Sequence, residues 1–218
     1  MNDRKRAVRY GISFVILAVL LIFLFIWNVN SGSIHLSVQE ILNIIFRHQG
    51  DETSYNIVWE IRLPRILAVI ILGGALSVSG FLLQTFFNNP IAGPFVLGIS
   101  SGAKLIVAFL MIFLLSRSVS IGSGAMILAA FAGSMISMGF VLLVAKKVHN
   151  MSMLVISGVM IGYICSAITD FVVTFADDSN IVNLHNWSMG SFSGTDWKDV
   201  GMIVVLVTLT VLATFFMA

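Results

Sequence analysis

The stretch ILAVIILGGALSVSGFLLQTFF, residues 66–87, decides the fold of this chain because it contains no charged side chain. A helix needs about 20 apolar residues to cross the roughly 30 Å hydrocarbon core of a lipid bilayer. This stretch therefore predicts a membrane-spanning helix. Further apolar stretches at about 11–29, 97–115, 122–145, 153–176 and 200–218 predict spans of their own, which makes six in all.

The composition of the whole chain agrees with this prediction. Of its 218 residues, 58% are hydrophobic and 10% are charged, and the mean hydropathy is +1.02. A typical soluble domain carries about 25% charged residues. We therefore predict an all-α fold, a polytopic transmembrane helix bundle that forms a single domain over residues 1–218 and is surrounded by lipid. The net charge of +2 comes from scattered residues and does not indicate a nucleic-acid partner.

The basic residues predict the orientation of the chain. Arg4-Lys5-Arg6 and Arg9 precede the first span, whose apolar run is longer than the core of a signal peptide and has no Ala-x-Ala cleavage site. We expect an uncleaved first span with a cytoplasmic N-terminus, and alternation then places Lys146-Lys147 in the cytoplasm as well. Arg62 and Arg65 fall on the outward side, where this rule does not explain them.

The first outward connector contains a predicted short helix. Ser37-Val-Gln-Glu40 has the pattern of a capping box, in which a serine and a glutamate satisfy each other's backbone amides. The apolar residues after it have the spacing of one helical face. Two interpretations are open: the helix lies on the membrane surface, or it is a cap packed on the spans.

Small residues recur at every fourth position in two predicted spans, as Ala125, Ala129, Gly133 and Ser137 and as Gly158, Gly162 and Ser166. Such stripes let helix backbones approach closely in lipid, so they predict helix packing. Asp170 continues the second stripe by one more step of four. We therefore expect its carboxylate to face the bundle, where an ionisable group is a candidate for a transport pathway. The alternative is that Asp170 is wetted at the outer end of its span.

Gly98-Ile-Ser-Ser-Gly102 matches the Gly-x-Ser-x-Gly pattern of a hydrolase, with Ser100 as the nucleophile. That chemistry requires a base and a turn from a strand into a helix. The motif instead opens a predicted membrane helix, and Lys104, the nearest basic residue, is expected to reach for the membrane interface. All of the histidines lie in predicted connectors, at His35, His48, His149 and His185. An intramembrane serine hydrolase is kept as an alternative function.

The sequence predicts neither a cofactor nor a metal site. Cys165 is the single cysteine and has no partner for a disulfide or a zinc site, so we expect it to be a packing residue. No Gly-x-x-x-x-Gly-Lys-Ser/Thr motif occurs, so the chain cannot bind a nucleotide through a P-loop. If its function requires ATP, another subunit has to hydrolyse it, and the chain itself is not an enzyme.

Arg62-Leu-Pro-Arg65 stands directly before the second span, on the outward side. Arginine pairs bidentately with carboxylates, so two such residues suit docking against an acidic partner. Anchoring to lipid headgroups is the alternative. Position alone does not decide between them.

Several motifs, in order, resemble the permeases that import iron-siderophores, haem and cobalamin, known as the FecCD-like family. The motifs are Ile61-Arg-Leu-Pro-Arg65, Gly74-Ala-Leu76, Ser79-Gly80, Gln84, Asn89-Pro-Ile-Ala-Gly-Pro94, Leu97-Gly-Ile-Ser-Ser-Gly-Ala103, Ile156-Ser-Gly158 and Trp187-Ser-Met-Gly-Ser-Phe-Ser-Gly-Thr-Asp-Trp197. The resemblance covers about residue 36 to the last residue.

The resemblance implies an ABC importer in a bacterial cell membrane. Two permease subunits form the channel, cytoplasmic ATP-binding subunits drive it, and an extracellular binding protein delivers a metal chelate. In such permeases Arg62 and Arg65 are expected to engage glutamates of the binding protein. The cytoplasmic gate corresponds to Asn89 and Ile91, together with the 150–152 segment formed by Asn150, Met151 and Ser152.

The resemblance also bears on length and on cargo. Such permeases have roughly ten spans, so we expect this chain to be the N-terminal part of one, ending before the cytoplasmic coupling helix. A non-transporting membrane fragment is the other interpretation. Ferric siderophore, the commonest cargo of such permeases, is the expected cargo, ahead of haem and cobalamin. Asn150 and Met151 depart from the hydroxyl-rich pattern of the cobalamin branch.

Overall fold

A computed structural model describes residues 3–32, 36–115, 122–147 and 151–217. Over these residues the chain is helical, without a strand, which confirms the predicted all-α fold. The α-helices are α1 (Asp3–Asn30), α2 (Val38–Arg47), α3 (Glu52–Asn56), α4 (Leu63–Phe87), α5 (Ile99–Leu110), α6 (Ser123–Ala145), α7 (Met151–Val173), α8 (Asp178–Met189) and α9 (Trp197–Met217). Two π-helical segments, Ile57–Arg62 and Met111–Leu115, run directly into or out of them.

Five helical stretches in the described residues are long and apolar enough to cross a membrane. They are Lys5–Asn30, Glu52–Phe87, Gly124–Ala145, Ser152–Val173 and Trp197–Phe216. The predicted third span corresponds to a shorter apolar helix, Ile99–Phe113. The chain is therefore a multi-pass membrane protein.

The chain forms two compact units. The first contains residues 1–74 and 192–218, and the second contains residues 75–191. The core of the first unit includes Val29 from α1, Val58 from the π-helical segment, and Ile41 and Ile44 from α2. The apolar face of α2 is thus buried against protein, which favours the cap packed on the spans over a helix lying on the membrane surface.

The capping box predicted at the start of α2 is present. The Glu40 backbone N–H donates to Ser37 Oγ over 3.2 Å, and the Ser37 backbone N–H donates to the Glu40 carboxylate over 2.7 Å. This second bond favours the charged carboxylate and lowers the pKa of Glu40 below its usual value. The cap satisfies backbone amides that the first turn of a helix leaves without partners.

The second membrane-crossing helix begins earlier than predicted. The sequence places its start near residue 66, because Arg62, Pro64 and Arg65 interrupt the apolar run. In the structure Asp51 caps α3, and the helical path continues from Glu52 through the π-helical segment into α4. Pro64 therefore lies inside a continuous helical path, where it lacks the backbone N–H that an earlier carbonyl would accept. Here the change of register at Ile57–Arg62 accommodates it.

The second unit contains α5, α6, α7 and α8. One part of its core joins Leu97, which precedes α5, to Val141 of α6 and Leu154 of α7. Another part joins Val107 and Leu184. Leu184 belongs to α8, a helix in a stretch that the sequence places in a connector. The many polar residues of α8 hide it from a search for apolar runs, although Asp177 stands at its N-cap position.

Candidate functional site

The two arginines predicted to dock a partner have different surroundings. Arg62 ends the π-helical segment and is buried, with 9% of its surface exposed. Its Nη1 donates a hydrogen bond to the backbone carbonyl of Val29, in the last turn of α1. The last four carbonyls of a helix have no hydrogen-bond donor within the helix, and the carbonyl of Val29 is one of them. Arg62 therefore caps the C-terminal end of α1. Sequence reasoning treats the two arginines as equivalent and misses this contact.

Arg65 is half-buried in the first turn of α4. Its Nε donates to the carbonyl of Phe192 over 3.1 Å, and its Nη2 donates to the carbonyl of Ser193 over 3.0 Å. A guanidinium has five N–H donors in a planar fork. These two bonds use the edge formed by Nε and Nη2, so the edge formed by Nη1 and Nη2 keeps donors with the geometry for a carboxylate.

Segment 192–197, which leads into α9, makes another bond to the same region. The indole Nε1 of Trp197 donates to the carbonyl of Trp59 over 2.9 Å, and the two rings lie 5.7 Å apart between centroids. The Trp59 ring also stacks on the ring of Tyr55. The ring of His48 lies edge-on to Trp59, with 4.8 Å between the centroids. Residues 57–65 and 192–197 together are called the arginine corner below. The spacing of residues in the motif that ends at Trp197 does not predict this bond.

The first predicted gate segment is a tight turn after α4. The side-chain carbonyl of Asn89 accepts the backbone N–H of Ile91 over 2.9 Å, and Asn88 before it has a left-handed backbone with φ of 45°. Asparagine suits both roles, because its short amide bonds to the backbone nearby and tolerates this conformation. The turn leaves the side chain of Ile91 71% exposed.

The second predicted gate segment lies at the start of α7. Asn150 is outside the described residues, Met151 begins the helix and Ser152 is exposed. Leu154, one turn further on, is buried in the same cluster as Ala92 of the first gate segment. The structure thus places Ala92 and Leu154, which are neighbours of the two predicted gate segments, in one apolar cluster within the second unit; the described gate residues themselves lie outside that cluster.

The predicted packing residues of α7 lie against the start of α5. A Cβ on Gly158 would come within 2.8 Å of Leu97 Cα, and one on Gly162 would come within 3.2 Å of Gly98 Cα. Gly98 has φ of 72°, and a Cβ there would lie 2.6 Å from the carbonyl oxygen of Gly158. The backbones approach so closely that glycine is required on both sides. Ser166 continues the stripe and is half-buried.

The α6 stripe packs against α5 in the same way. A Cβ on Gly102 would come within 2.6 Å of the carbonyl oxygen of Gly133. Ser137, one turn after Gly133, is buried and donates its hydroxyl to the carbonyl of Gly98 over 2.9 Å. Ala129 is buried as well, in the cluster that includes Val107. Small side chains therefore line the α6 face that α5 contacts.

Asp170 does not share the buried face of Gly158 and Gly162. It is exposed in the last turn of α7, whereas the sequence pattern predicts that it faces the bundle. The difference follows from helix geometry. With 3.6 residues per turn, each step of four rotates about 40°, so three steps from Gly158 carry Asp170 about 120° around the helix.

Ser100 does not have the surroundings of a hydrolase nucleophile. It is the exposed second residue of α5, and the residues before it form turns rather than a strand. A nucleophile elbow requires the strand that sharpens its turn. Among the described residues, no three histidine, cysteine or acidic side chains gather into a group that could hold a metal ion.

Comparison with known protein families identifies the relationship. The sequence profile of the FecCD transport family matches residues 20–218, nearly the whole chain. The chain belongs to the FecCD transport family. This membership confirms the resemblance found in the ordered motifs, and it places this FecCD chain among transport proteins rather than enzymes.

Individual relatives give the same result. Residues of this FecCD chain are 38% identical over 150 positions to a vitamin B12 import system permease protein, BtuC, of Escherichia coli O6:H1, covering 69% of this chain and 45% of that protein. BtuC of Shigella boydii serotype 18 is 37% identical with the same coverage. The chain thus spans about half the length of the curated relatives it matches.

A solved structure shows the same fold. It is described as a metal-chelate type ABC transporter in an inward-facing conformation, and it matches with a TM-score of 0.72 and 24% identity. The match covers 88% of this chain and 57% of the other. The agreement supports the polytopic helical architecture.

Proposed function

We propose that this chain is the N-terminal, membrane-spanning part of the permease subunit of an ABC importer for a metal chelate. The observation that carries the proposal is the family match over residues 20–218. The hydrogen bonds that fix one edge of the Arg65 guanidinium and leave donors on its other edge support a docking site for a carboxylate there. A second permease subunit completes the channel, separate ATP-binding subunits drive it, and an extracellular binding protein docks at Arg62 and Arg65 and delivers the cargo.

The proposed cargo is a ferric siderophore. The solved neighbour is described as a metal-chelate transporter, while the BtuC relatives are named for vitamin B12, itself a cobalt chelate. Both names refer to cargo in which an organic molecule encloses a metal ion. A ferric siderophore is one member of that class.

Uptake by intact cells tests the cargo. A strain in which the gene is deleted is given a radiolabelled ferric hydroxamate siderophore, haem or cobalamin in separate assays. We expect accumulation of the siderophore to fall to background and to recover when the complete gene is returned. Loss of cobalamin uptake alone would assign the chain to the vitamin B12 branch, and unchanged uptake of all three would contradict the metal-chelate function.

In the proposed mechanism the permease alternates between outward and inward access. Docking releases the chelate into a cavity between two permeases, and ATP-driven motion opens the gate formed by Asn89, Ile91 and the 150–152 segment. Asp170 is proposed to line the pathway, because an exposed carboxylate at the end of a membrane helix needs water or a partner beside it.

Cysteine labelling tests which face holds the proposed gate. In a complete permease with Cys165 replaced by serine, Ile91→Cys is expected to react with a membrane-impermeant maleimide in inside-out vesicles only. Phe46→Cys, on α2 of the opposite connector and 77% exposed, is the matched control and is expected to react in right-side-out vesicles only. The reverse pattern would contradict the predicted cytoplasmic N-terminus.

A further inference from the structure

The bond between Trp197 and Trp59 follows from the proline in the Arg62-Leu-Pro-Arg65 motif. In the π-helical segment, the backbone N–H of Leu63 donates to the carbonyl of Val58, five residues earlier. In the same register the carbonyl of Trp59 would accept from residue 64. Residue 64 is proline, which has no N–H to give. The indole N–H of Trp197 takes that place, at 2.9 Å.

This bond matters because an unsatisfied carbonyl in a half-buried position is costly. Trp59 and Trp197 are both half-buried, and their rings pack against each other. The indole therefore fastens the start of α9 at a single acceptor on the π-helical segment. Proline at 64 and tryptophan at 197 act as a matched pair, although 133 positions separate them in the sequence.

The same two stretches are joined by Arg65. Its Nε and Nη2 donate to Phe192 and Ser193, five and four residues before Trp197. The position of these carbonyls decides where the guanidinium lies and which of its edges is left to bond another acceptor. If the start of α9 shifts, the anchored edge of Arg65 shifts with it.

We propose that Trp197 is a positioning residue for docking: through Trp59 it holds segment 192–197 so that Arg65 presents its second guanidinium edge to a carboxylate of the binding protein. This inference rests on the proposed docking function and adds to it the residue that sets the geometry. Trp197 itself touches no partner carboxylate. Its effect passes through the carbonyls that hold Arg65.

A double-mutant cycle tests the proposal in the complete permease, assembled with its ATP-binding subunits in lipid nanodiscs. The probe is the purified substrate-binding protein of the importer, and the measured quantity is its Kd. Trp197→Phe keeps the aromatic ring and removes the N–H donor. Because one hydrogen bond is lost, we expect docking to weaken about 3- to 10-fold. Trp187→Phe is the matched control, because Trp187 is a half-buried tryptophan of α8 in the other unit. We expect the binding protein to dock on this variant with an unchanged Kd.

The decisive comparison is made in the Arg65→Gln background, where the docking guanidinium is gone. There we expect Trp197→Phe to have no further effect, since coupled residues are non-additive. An equal loss in both backgrounds would show a general structural role and overturn the proposal. If the binding protein docks normally on Trp197→Phe but poorly on Arg65→Gln, only the role of Trp197 is overturned. If it docks normally on Arg65→Gln, the proposed docking function is overturned as well.

A second measurement separates a change in the position of Arg65 from a general loss of stability. Phenylglyoxal reacts with accessible guanidinium groups, and mass spectrometry reports the reaction rate at Arg65. We expect Trp197→Phe to raise that rate severalfold while the thermal midpoint changes by only a few degrees. An unchanged rate would contradict the link between Trp197 and Arg65.

Discussion

Replacing Arg65 with glutamate in the complete permease is expected to abolish uptake of the metal chelate while leaving assembly with the ATP-binding subunits intact. The substitution removes the edge proposed to pair with a partner carboxylate and puts a like charge in its place. Loss of a hydrogen-bonded charge pair at an interface costs about 2–5 kcal/mol or more, which weakens docking by about 30-fold to several thousand-fold. The measurements are uptake by cells and co-purification of the subunits.

Lys198→Glu is the matched control for Arg65→Glu. Lys198 carries the same charge, is exposed and lies just beyond segment 192–197, so its reversal changes the field of the arginine corner without touching the anchored guanidinium. We expect at most a severalfold loss of uptake. Equal losses in the two variants would indicate unspecific attraction, and normal uptake by Arg65→Glu would contradict docking at this residue.

Arg62 is a poor site for the same test because it is buried and bonded to the carbonyl of Val29. A glutamate there would place an unpaired carboxylate beside a carbonyl oxygen, which penalises folding whatever the docking role. Glutamate at both arginines should also abolish uptake. Arg65 is half-buried rather than buried, so the single Arg65 variant penalises folding less than the double variant does, and co-purification of the subunits measures the penalty that remains.

Gly98→Ala is expected to prevent stable folding of the second unit. The new Cβ would lie 2.6 Å from the carbonyl oxygen of Gly158 and 2.8 Å from the backbone nitrogen of Gly162, and neither is the end of a flexible side chain. The backbone at Gly98 also has φ of 72°, which alanine adopts at a cost of about 1–2 kcal/mol. Together with overpacking of about 1–3 kcal/mol, this should lower the thermal midpoint of the detergent-purified permease by 10 °C or more, or prevent its recovery.

Gly93→Ala supplies the control for this prediction. Gly93 lies in the same connector, but a Cβ there would meet nothing within 4 Å and its φ is not in the positive range. We expect the thermal midpoint of the Gly93→Ala permease to stay within a few degrees of the thermal midpoint of the unsubstituted permease. A Gly98→Ala variant as stable as Gly93→Ala would contradict the close approach of α5 and α7.

Periodic features of this fold could be predicted from sequence, since each depends on local spacing. Long apolar runs predict the membrane-crossing helices, and Ser37 with Glu40 predicts the cap of α2. The small residues Gly133 and Gly158 stand where a neighbouring backbone leaves no room for a Cβ. In such cases the backbone geometry of one helix already determines which side chains share a face.

Features that depend on distant residues could not be predicted in this way. The burial of Arg62 requires the end of α1, and the anchoring of Arg65 requires a loop more than 120 positions away. A four-residue stripe extended to Asp170 ignores the rotation that accumulates along α7. The π-helical segment before Pro64 likewise depends on tertiary packing, in which Trp197 satisfies the carbonyl that proline leaves open.

Transport by the complete permease in proteoliposomes tests the central claim most directly. The permease and its ATP-binding subunits are reconstituted with the nucleotide supplied on the cytoplasmic side, and the binding protein loaded with radiolabelled chelate is added on the other side. We expect the chelate to accumulate inside the cytoplasmic compartment, and this accumulation should require both ATP and the binding protein. Accumulation that continues without either of them, or none when both are present, would contradict an ABC importer.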